Sequence, residues 1–360
     1  MGNRELIERI KSYRGEKIRI MEVCGTHTHE IFKNGIRAIL PSDIELISGP
    51  GCPVCVTEET YIDEALWLSM KKGVTVCSFG DLIRVPGSEM SLAKARSCNA
   101  KVRVVYSPID AVNLAIENRD EDFVFLSTGF ETTTPSSCIA LKKALDNNLS
   151  NFSLLTANKT MFNAYLSLSD SVDAFMYPGH VSTMTGMEPY YKLRNEYEIS
   201  GSVTGFEADE ILLSINRLID GVLMSREAEK NTGVKKPFAY NCYSEIVPVN
   251  RNEKAAKLID RFMVAVDAEW RGIGIIKDSG LKLRDEYKDF DARIKYEVPK
   301  FESRNYKGCR CGDVLLGKIK PTECPLFGNK CIPINPIGAC MVSGEGTCSA
   351  YYKYSAFERY

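Results

Sequence analysis

Short apolar runs alternate with helix-like segments between Ile18 and Phe206 of this 360-residue chain. Several runs are rich in Val, Ile and Phe, and many end in Gly, Pro or Ser. Between them, segments such as Thr57–Lys72 and Pro135–Asn147 carry apolar residues at the spacing of one helix face. This alternation predicts an α/β fold of parallel strands covered by helices. The predicted strands are Ile18–Val23, Ile44–Ile47, Val74–Phe79, Val102–Tyr106, Phe123–Ser127, Phe152–Thr156, Ala174–Tyr177 and Ser202–Phe206.

The predicted strands divide near residue 115 into two groups of four, and each group opens with a strand that runs into a polar loop. We therefore expect two similar α/β domains, residues 1–115 and 116–230, facing each other across a cleft. A helical stripe covers Ala208–Arg226, and Asn252 is a good N-cap for a further helix reaching about Trp270. Residues 231–360 would combine this helical segment with a small cysteine-rich domain, which a metal centre could help to stabilise.

The C-terminal tail is dense in cysteine. Of thirteen cysteines in the chain, Cys309, Cys324, Cys331 and Cys348 follow the spacing C-x14-C-x6-C-x16-C, with Cys311 and Cys340 between them. Four thiolates suit an iron–sulfur cluster. They also suit tetrahedral zinc, although zinc sites usually use close cysteine pairs. The spacing favours a cluster and leaves zinc as the alternative.

A Cys-x-x-Cys pair, Cys52 and Cys55, follows a Gly-Pro-Gly turn at the end of a predicted strand. Two thiols at this spacing can form or exchange a disulfide. The same pair could be half of a zinc site, but no second close pair lies nearby in the sequence. A redox function is favoured.

Three further candidates follow other predicted strands. Cys24 precedes His27, so the two could form a nucleophile and base, or a metal-binding thiolate with a polar neighbour, or a structural pair. Glu131 and His180 follow strands in the second predicted domain and could equally be solvated loop residues. Because ligands bind at the carboxyl ends of strands in open α/β sheets, Cys24 and Cys52 are expected to share one crevice.

Composition excludes some classes of function. The formal net charge is −1, which gives no indication of nucleic acid or an anionic membrane surface as a partner. The N-terminal segment lacks the pattern of a signal peptide, and no apolar run is long enough to span a membrane. We expect a cytoplasmic protein whose thiols are mostly reduced.

Taken together, the motifs resemble the HypD family of [NiFe]-hydrogenase maturation proteins, and the resemblance covers nearly the whole chain. The matching motifs are CGTHTHE at Cys24–Glu30, GPGCPVC at Gly49–Cys55, TGFETTTP at Thr128–Pro135, PGHVS at Pro178–Ser182, TGFE at Thr204–Glu207, and the four-cysteine tail.

The resemblance implies two α/β domains and a third domain with a [4Fe–4S] cluster held by Cys309, Cys324, Cys331 and Cys348. It implies a complex with HypC that holds iron while two cyanides and one carbon monoxide are attached, with HypE as cyanide donor and the hydrogenase large subunit as indirect partner. By motif match, Cys24 would bind that iron with His27 nearby. Cys52 and Cys55 would be a thiol–disulfide pair in the cleft, and Cys311 and Cys340 a second pair beside the cluster.

Two other functions are kept as alternatives. One is a thiol–disulfide reductase that is fed by the cluster and acts on other proteins, which would need Cys52 and Cys55 but not Cys24. The other is a metal-storage or zinc-binding structural protein.

Overall fold

A computed structural model describes residues 2–303 and 308–354 of the chain. The predicted α/β class is confirmed: two sheets made mainly of parallel strands are packed with helices. Each of the predicted strands forms. The strands are β1 Ile18–Glu22, β2 Ile44–Ser48, β3 Val74–Ser78, β4 Val102–Val104, β5 Asp122–Gly129, β6 Phe152–Lys159, β7 Ala174–Pro178, β8 Gly201–Thr204, β9 Ala239–Asn241, β10 Met263–Trp270 and β11 Gly274–Leu283.

Helices of very different lengths connect these strands. In chain order they are α1 Asn3–Ser12, α2 Gly25–Lys33, α3 Ile36–Ile39, α4 Pro53–Val56, α5 Glu59–Ser69, α6 Leu92–Ala95, α7 Pro108–Glu117, α8 Thr134–Asp146, α9 Phe162–Leu168, α10 Gly179–Thr185, α11 Glu188–Tyr197, α12 Ala208–Thr232, α13 Glu253–Phe262, α14 Ala292–Lys295, α15 Cys311–Leu315 and α16 Thr347–Tyr354.

The first sheet has the strand order β2-β1-β7-β8-β9, and all its neighbouring pairs are parallel. Helices α1 and α12 cover one face, where Leu6, Ile10 and Ile215 join the apolar core with Ile20 of β1. Strand order reverses between β1 and β7, because β1 continues to β2 on one side and β7 to β8 on the other. Such a reversal opens a crevice at the carboxyl ends of the two strands, where ligands commonly bind.

The second sheet has the order β10-β11-β6-β5-β3-β4. Strands β4, β3, β5 and β6 are parallel, whereas β11 pairs antiparallel with both β6 and β10. Every residue of β3 and β6 is buried, as expected when helices cover both faces of a parallel sheet. This sheet also reverses its order, between β3 and β5, so its crevice lies at the end of β5.

The predicted grouping of strands into two consecutive sets of four is wrong. The first sheet takes β1 and β2 from before residue 115 and β7, β8 and β9 from after it, and the second takes β3 and β4 together with β5 and β6. Parallel strands that are buried on both faces pair at long range, and their sequence does not specify which neighbour they choose.

The region after residue 231 joins the two sheets more closely than predicted, because β9 belongs to the first sheet and β10 and β11 belong to the second. Asn252 is the N-cap of α13 as expected, since its side chain accepts a hydrogen bond from the Ala255 N–H. The helix ends at Phe262 rather than Trp270. Met263–Trp270 is strand β10 instead, whose inner residues alternate between half-buried and exposed, and it forms a hairpin with β11. No helix within the described residues is long and apolar enough to cross a membrane.

Candidate functional site

Cys24 lies directly after β1, at the crevice of the first sheet, and is the N-cap residue of α2. Burial raises the pKa of its thiol to about 11, while the nearby backbone N–H groups of His27 and Thr26 act against this rise. Those N–H groups would stabilise a thiolate once a metal replaces the proton. The surroundings of Cys24 therefore suit a thiolate that is bound to a metal better than a free thiolate.

His27 lies one helical turn further, completely buried. Its Nε2 is 2.8 Å from the Gly205 carbonyl oxygen and 3.2 Å from that of Thr204. Because carbonyl oxygens only accept, Nε2 carries the proton. Nδ1 then keeps a free lone pair, and it is buried with no hydrogen-bond partner among the residues described. Burial also lowers the pKa of His27 to about 4, so the ring is neutral and able to bind a metal.

His180 follows β7 on the other side of the same crevice, as the sequence predicts, and its side chain is exposed. The Phe206 ring lies between the two histidines, with centroid distances of 4.7 Å to His27 and 4.0 Å to His180. Residues of the TGFE motif therefore contact both histidines. The Thr204 and Gly205 carbonyls accept from His27, and the Phe206 ring packs against both imidazole rings. Composition and spacing gave no signal for this function of Thr204, Gly205 and Phe206.

The Cys-x-x-Cys loop lies against the backbone of the Cys24 motif. A Cβ atom at Gly51 would collide with the backbone of Val23 and Cys24, so only glycine permits this approach. Cys52 is the N-cap of α4, and Cys55 lies within that helix. Both are buried, with exposed fractions of 4% and 0%. The predicted proximity of the two cysteine motifs is thus present in the structure.

The C-terminal tail contacts both motifs. The thiol of Cys52 donates to the Ser343 hydroxyl at 3.4 Å, and the Thr26 hydroxyl donates to the Glu345 carboxylate at 3.1 Å. At the end of the tail, α16 packs on α2, where the Phe32 and Tyr351 rings are 4.6 Å apart. Neither Ser343 nor Glu345 carried a recognisable signal in the sequence.

Cys340 lies where the tail thiols and the Cys-x-x-Cys pair meet. Hydrogen bonds from the thiols of Cys311, Cys348 and Cys55 hold its pKa well below the ordinary value, against the effect of burial. The Cys348 backbone N–H also donates to its sulfur, at 3.2 Å. Hydrogen bonding to Cys340 and then to Cys52 raises the pKa of Cys55 well above its ordinary value. A continuous series of thiol contacts therefore runs from Cys52 through Cys55 and Cys340 to Cys311 and Cys348.

The tail cysteines share one cavity, which the apolar side chains Val314, Leu326, Phe327 and Met341 help to line. The cysteines around it are Cys309, Cys311, Cys324, Cys331, Cys340 and Cys348. No three potential ligands within the described part of the chain already stand in metal-binding geometry. A donor set of thiols in an apolar cavity, without carboxylate or imidazole, nevertheless suits an iron–sulfur cluster.

Glu131 follows β5, at the crevice of the second sheet. Burial raises the pKa of its carboxyl group to about 7, although the N–H of Met161 donates to Oε1 at 2.8 Å. Oε2 is buried and unpaired within the described ranges. The adjacent Phe130 belongs to the same apolar core as Cys52 and Cys55. No contact between Glu131 and Cys24 is described, so the structure does not join the two into one constellation.

These features define a class: an α/β protein whose sheet-end cysteine motif is connected by thiol contacts to a cysteine-rich tail. The sequence model of HypD, described as the hydrogenase formation hypA family, matches residues 2–355. The chain therefore belongs to the HypD family, as the sequence motifs predicted.

Curated relatives agree with this assignment. A putative hydrogenase expression/formation protein of Methanocaldococcus jannaschii is 40% identical over 94% of this chain and 92% of its own length. The hydrogenase maturation factor HypD of Escherichia coli is 40% identical over 97% of this chain and 94% of its own. The factor of the same name from Rhodobacter capsulatus is 38% identical over 97% of this chain and 92% of its own.

Proposed function

We propose that this chain is a hydrogenase maturation factor that serves, with HypC, as the scaffold on which iron receives two cyanides and one carbon monoxide. HypE would supply the cyanide, and the hydrogenase large subunit would receive the product. The contact between Cys55 and Cys340 carries the proposal, because it joins the Cys24 crevice to a possible source of electrons in the tail.

The iron would be cargo held by Cys24. A soft thiolate suits iron that carries cyanide and carbon monoxide, and the N–H groups of Thr26 and His27 support such a thiolate. The free lone pair of His27 Nδ1 makes this ring the second candidate ligand. His180 is exposed at the rim of the crevice, where incoming groups would meet it.

A [4Fe–4S] cluster held by Cys309, Cys324, Cys331 and Cys348 would supply single electrons when bound. The remaining steps would be thiol–disulfide exchange between cysteines of the chain. If Cys52 and Cys55 are oxidised to a disulfide, the Cys340 thiolate can attack Cys55, forming a Cys340–Cys55 bond and releasing Cys52 as a thiolate. Cys311 then attacks Cys340 and releases Cys55, so two electrons pass to the cleft pair and a Cys311–Cys340 disulfide remains.

The central position of Cys340, in contact with both Cys55 and Cys311, supports its assignment as the attacking thiol, because the attacking sulfur must reach the disulfide. Such a relay operates where thiols are kept reduced, which favours the cytoplasm. The same contacts would also permit the alternative function, a thiol–disulfide reductase acting on other proteins. Burial of Cys52 and Cys55 argues against it, since a protein substrate could not reach either sulfur.

Infrared spectroscopy of the protein isolated anaerobically with HypC tests the scaffold. Bands from iron-bound cyanide and carbon monoxide are expected, and their absence from a complex that contains iron would contradict the proposal. Analysis of the same preparation should find about four sulfide per chain, and about four iron beyond the iron that carries cyanide and carbon monoxide, as a cysteine-bound [4Fe–4S] centre requires. Stoichiometric zinc without sulfide would instead support the structural alternative.

A further inference from the structure

One turn of the tail faces both sulfurs of the Cys-x-x-Cys pair. This single turn of 3-10 helix, Ala339–Met341, packs against α4, and its Cys340 lies in the same apolar core as Cys52 and Cys55. Three residues further along the tail, the hydroxyl oxygen of Ser343 is 3.4 Å from the Cys52 sulfur, and both residues are buried. The two sulfurs of the pair therefore have different neighbours, a third thiol at Cys55 and a hydroxyl group at Cys52.

The Ser343 hydroxyl is held in place by the backbone around it. The N–H of Ser343 donates to the Ala339 carbonyl at 3.4 Å, and its carbonyl accepts from the Gly346 N–H at 3.0 Å. Its Oγ accepts from the Glu345 N–H at 3.2 Å. Gly346 lies so close to the Cys340 carbonyl that a Cβ atom there would collide with it. The Ser343 oxygen is thus fixed relative to the turn that carries Cys340.

A free Cys52 interacts with this hydroxyl more strongly than an oxidised Cys52 does. As a thiol, Cys52 donates to Oγ of Ser343, which is the contact that the structure contains. As a thiolate, it would accept from the O–H group, whose proton can rotate toward its partner. In a disulfide, the sulfur has no proton to donate and no charge, so it is only a weak acceptor. The hydroxyl therefore stabilises a released Cys52 in either protonation state.

We propose that Ser343 favours the release of Cys52 when Cys340 attacks the Cys52–Cys55 disulfide. In this step the Cys340 thiolate forms a bond with the Cys55 sulfur, the Cys52–Cys55 bond breaks, and its electron pair leaves with Cys52 as a thiolate. The inference rests on the proposed exchange between tail and cleft thiols. It adds that electrons reach the crevice at Cys52, whose neighbour Gly51 lies against the Cys24 backbone.

The test uses a Cys311→Ser background, in which the exchange stops after its first step. One equivalent of diamide, which oxidises two thiols to a disulfide, is added to the anaerobically purified, reduced protein. The reversible exchange then distributes this bond between the cleft disulfide, Cys52–Cys55, and the mixed disulfide, Cys55–Cys340. Acid quenching, alkylation in denaturant and peptide mass spectrometry give the ratio of the two.

Adding Ser343→Ala to this background should lower the ratio of mixed to cleft disulfide several-fold, because the released Cys52 loses its hydrogen-bond partner and the cleft disulfide loses little. Ser202→Ala is the matched control. It removes a hydroxyl from another serine–cysteine contact, Ser202 with Cys242 at 3.2 Å, which lies outside the thiol series. The control should keep the ratio of the background.

The outcomes separate this proposal from the exchange on which it rests. Formation of the mixed disulfide with an unchanged ratio in Ser343→Ala would overturn the assignment of Ser343 and leave the exchange intact. An equal fall of the ratio in the Ser202→Ala control would also overturn it. Absence of the mixed disulfide from the Cys311→Ser background would contradict the exchange itself, and the assignment of Ser343 with it.

Discussion

The Nε2 atom of His27 lies 2.8 Å from the carbonyl oxygen of Gly205, across 178 positions of sequence. This hydrogen bond assigns the ring proton to Nε2 and leaves Nδ1 as a buried lone pair. The position and tautomer of a histidine that follows β1 are therefore fixed by the backbone that follows β8 of the same sheet.

Burial of neutral His27 makes stability depend on pH. Its pKa is about 4 in the folded protein and about 6.5 when unfolded, so the unfolded chain binds the extra proton between these values. Stability is therefore lost as pH falls from about 6.5 to about 4, by on the order of 3 kcal/mol from this residue. Urea unfolding of the wild type and of His27→Gln in parallel should show the wild type losing stability relative to the variant as pH falls across this range. An equal pH slope in the variant would contradict the assignment.

Glu131 should act with the opposite sign. Burial raises its pKa to about 7 from 4.5, so the folded protein holds the proton more tightly than the unfolded chain. Stability should therefore fall as pH rises from about 4.5 to 7, by on the order of 3 kcal/mol. The difference in unfolding free energy between Glu131→Gln and wild type should grow in favour of the variant between pH 5 and pH 8. A constant difference would show that the carboxyl group is already ionised.

Cys24→Ala tests the scaffold directly. Hydrogenase maturation should be abolished, because the proposed iron ligand is lost, while the visible absorbance of the proposed tail cluster should remain. Cys242→Ala is a suitable control, since this half-buried thiol contacts Ser202 and belongs to no motif. Normal maturation in Cys24→Ala would favour the reductase alternative, which needs only Cys52 and Cys55.

Cys340→Ser should interrupt the transfer of electrons from the tail thiols to Cys52 and Cys55. In the wild type with its cluster reduced, a Cys52–Cys55 disulfide should be converted to thiols, whereas in the variant it should persist because the central nucleophile is missing. Differential alkylation followed by mass spectrometry measures this. Cys98→Ser, which alters an exposed cysteine, should behave as wild type. Reduction of the pair at the wild-type rate in Cys340→Ser would show that electrons take another route.

Gly51→Ala should be destabilising, because its Cβ would collide with the backbone of Val23 and Cys24. We expect a loss of about 1–3 kcal/mol, together with displacement of Cys52 from the crevice. Gly344→Ala provides the comparison, since a Cβ at that position meets nothing within 4 Å. Equal unfolding free energies for the two variants would mean that the loop does not depend on this close approach.

Sequence patterns were sufficient to predict most of the local secondary-structure elements. Apolar runs predicted the strands of both parallel regions, and the Asn252 cap predicted the start of α13. The prediction of a helix was wrong at Met263–Trp270, which forms β10. This edge strand is covered on one face only, and its apolar residues Val266 and Trp270 also keep the four-residue spacing of a helix face that continues from Phe262.

For the site, the sequence by itself determined which residues are candidates for the chemistry. Cysteine and histidine are rare enough, and their spacing specific enough, that Cys24, Cys52, Cys55 and the tail thiols could be named without coordinates. Tertiary structure alone decided how they are connected. The partition of strands between the sheets, the carbonyls on His27 and the contact of Cys55 with Cys340 all join segments distant in the chain. Such contacts depend on how buried surfaces fit together, and no local pattern of residues encodes that fit.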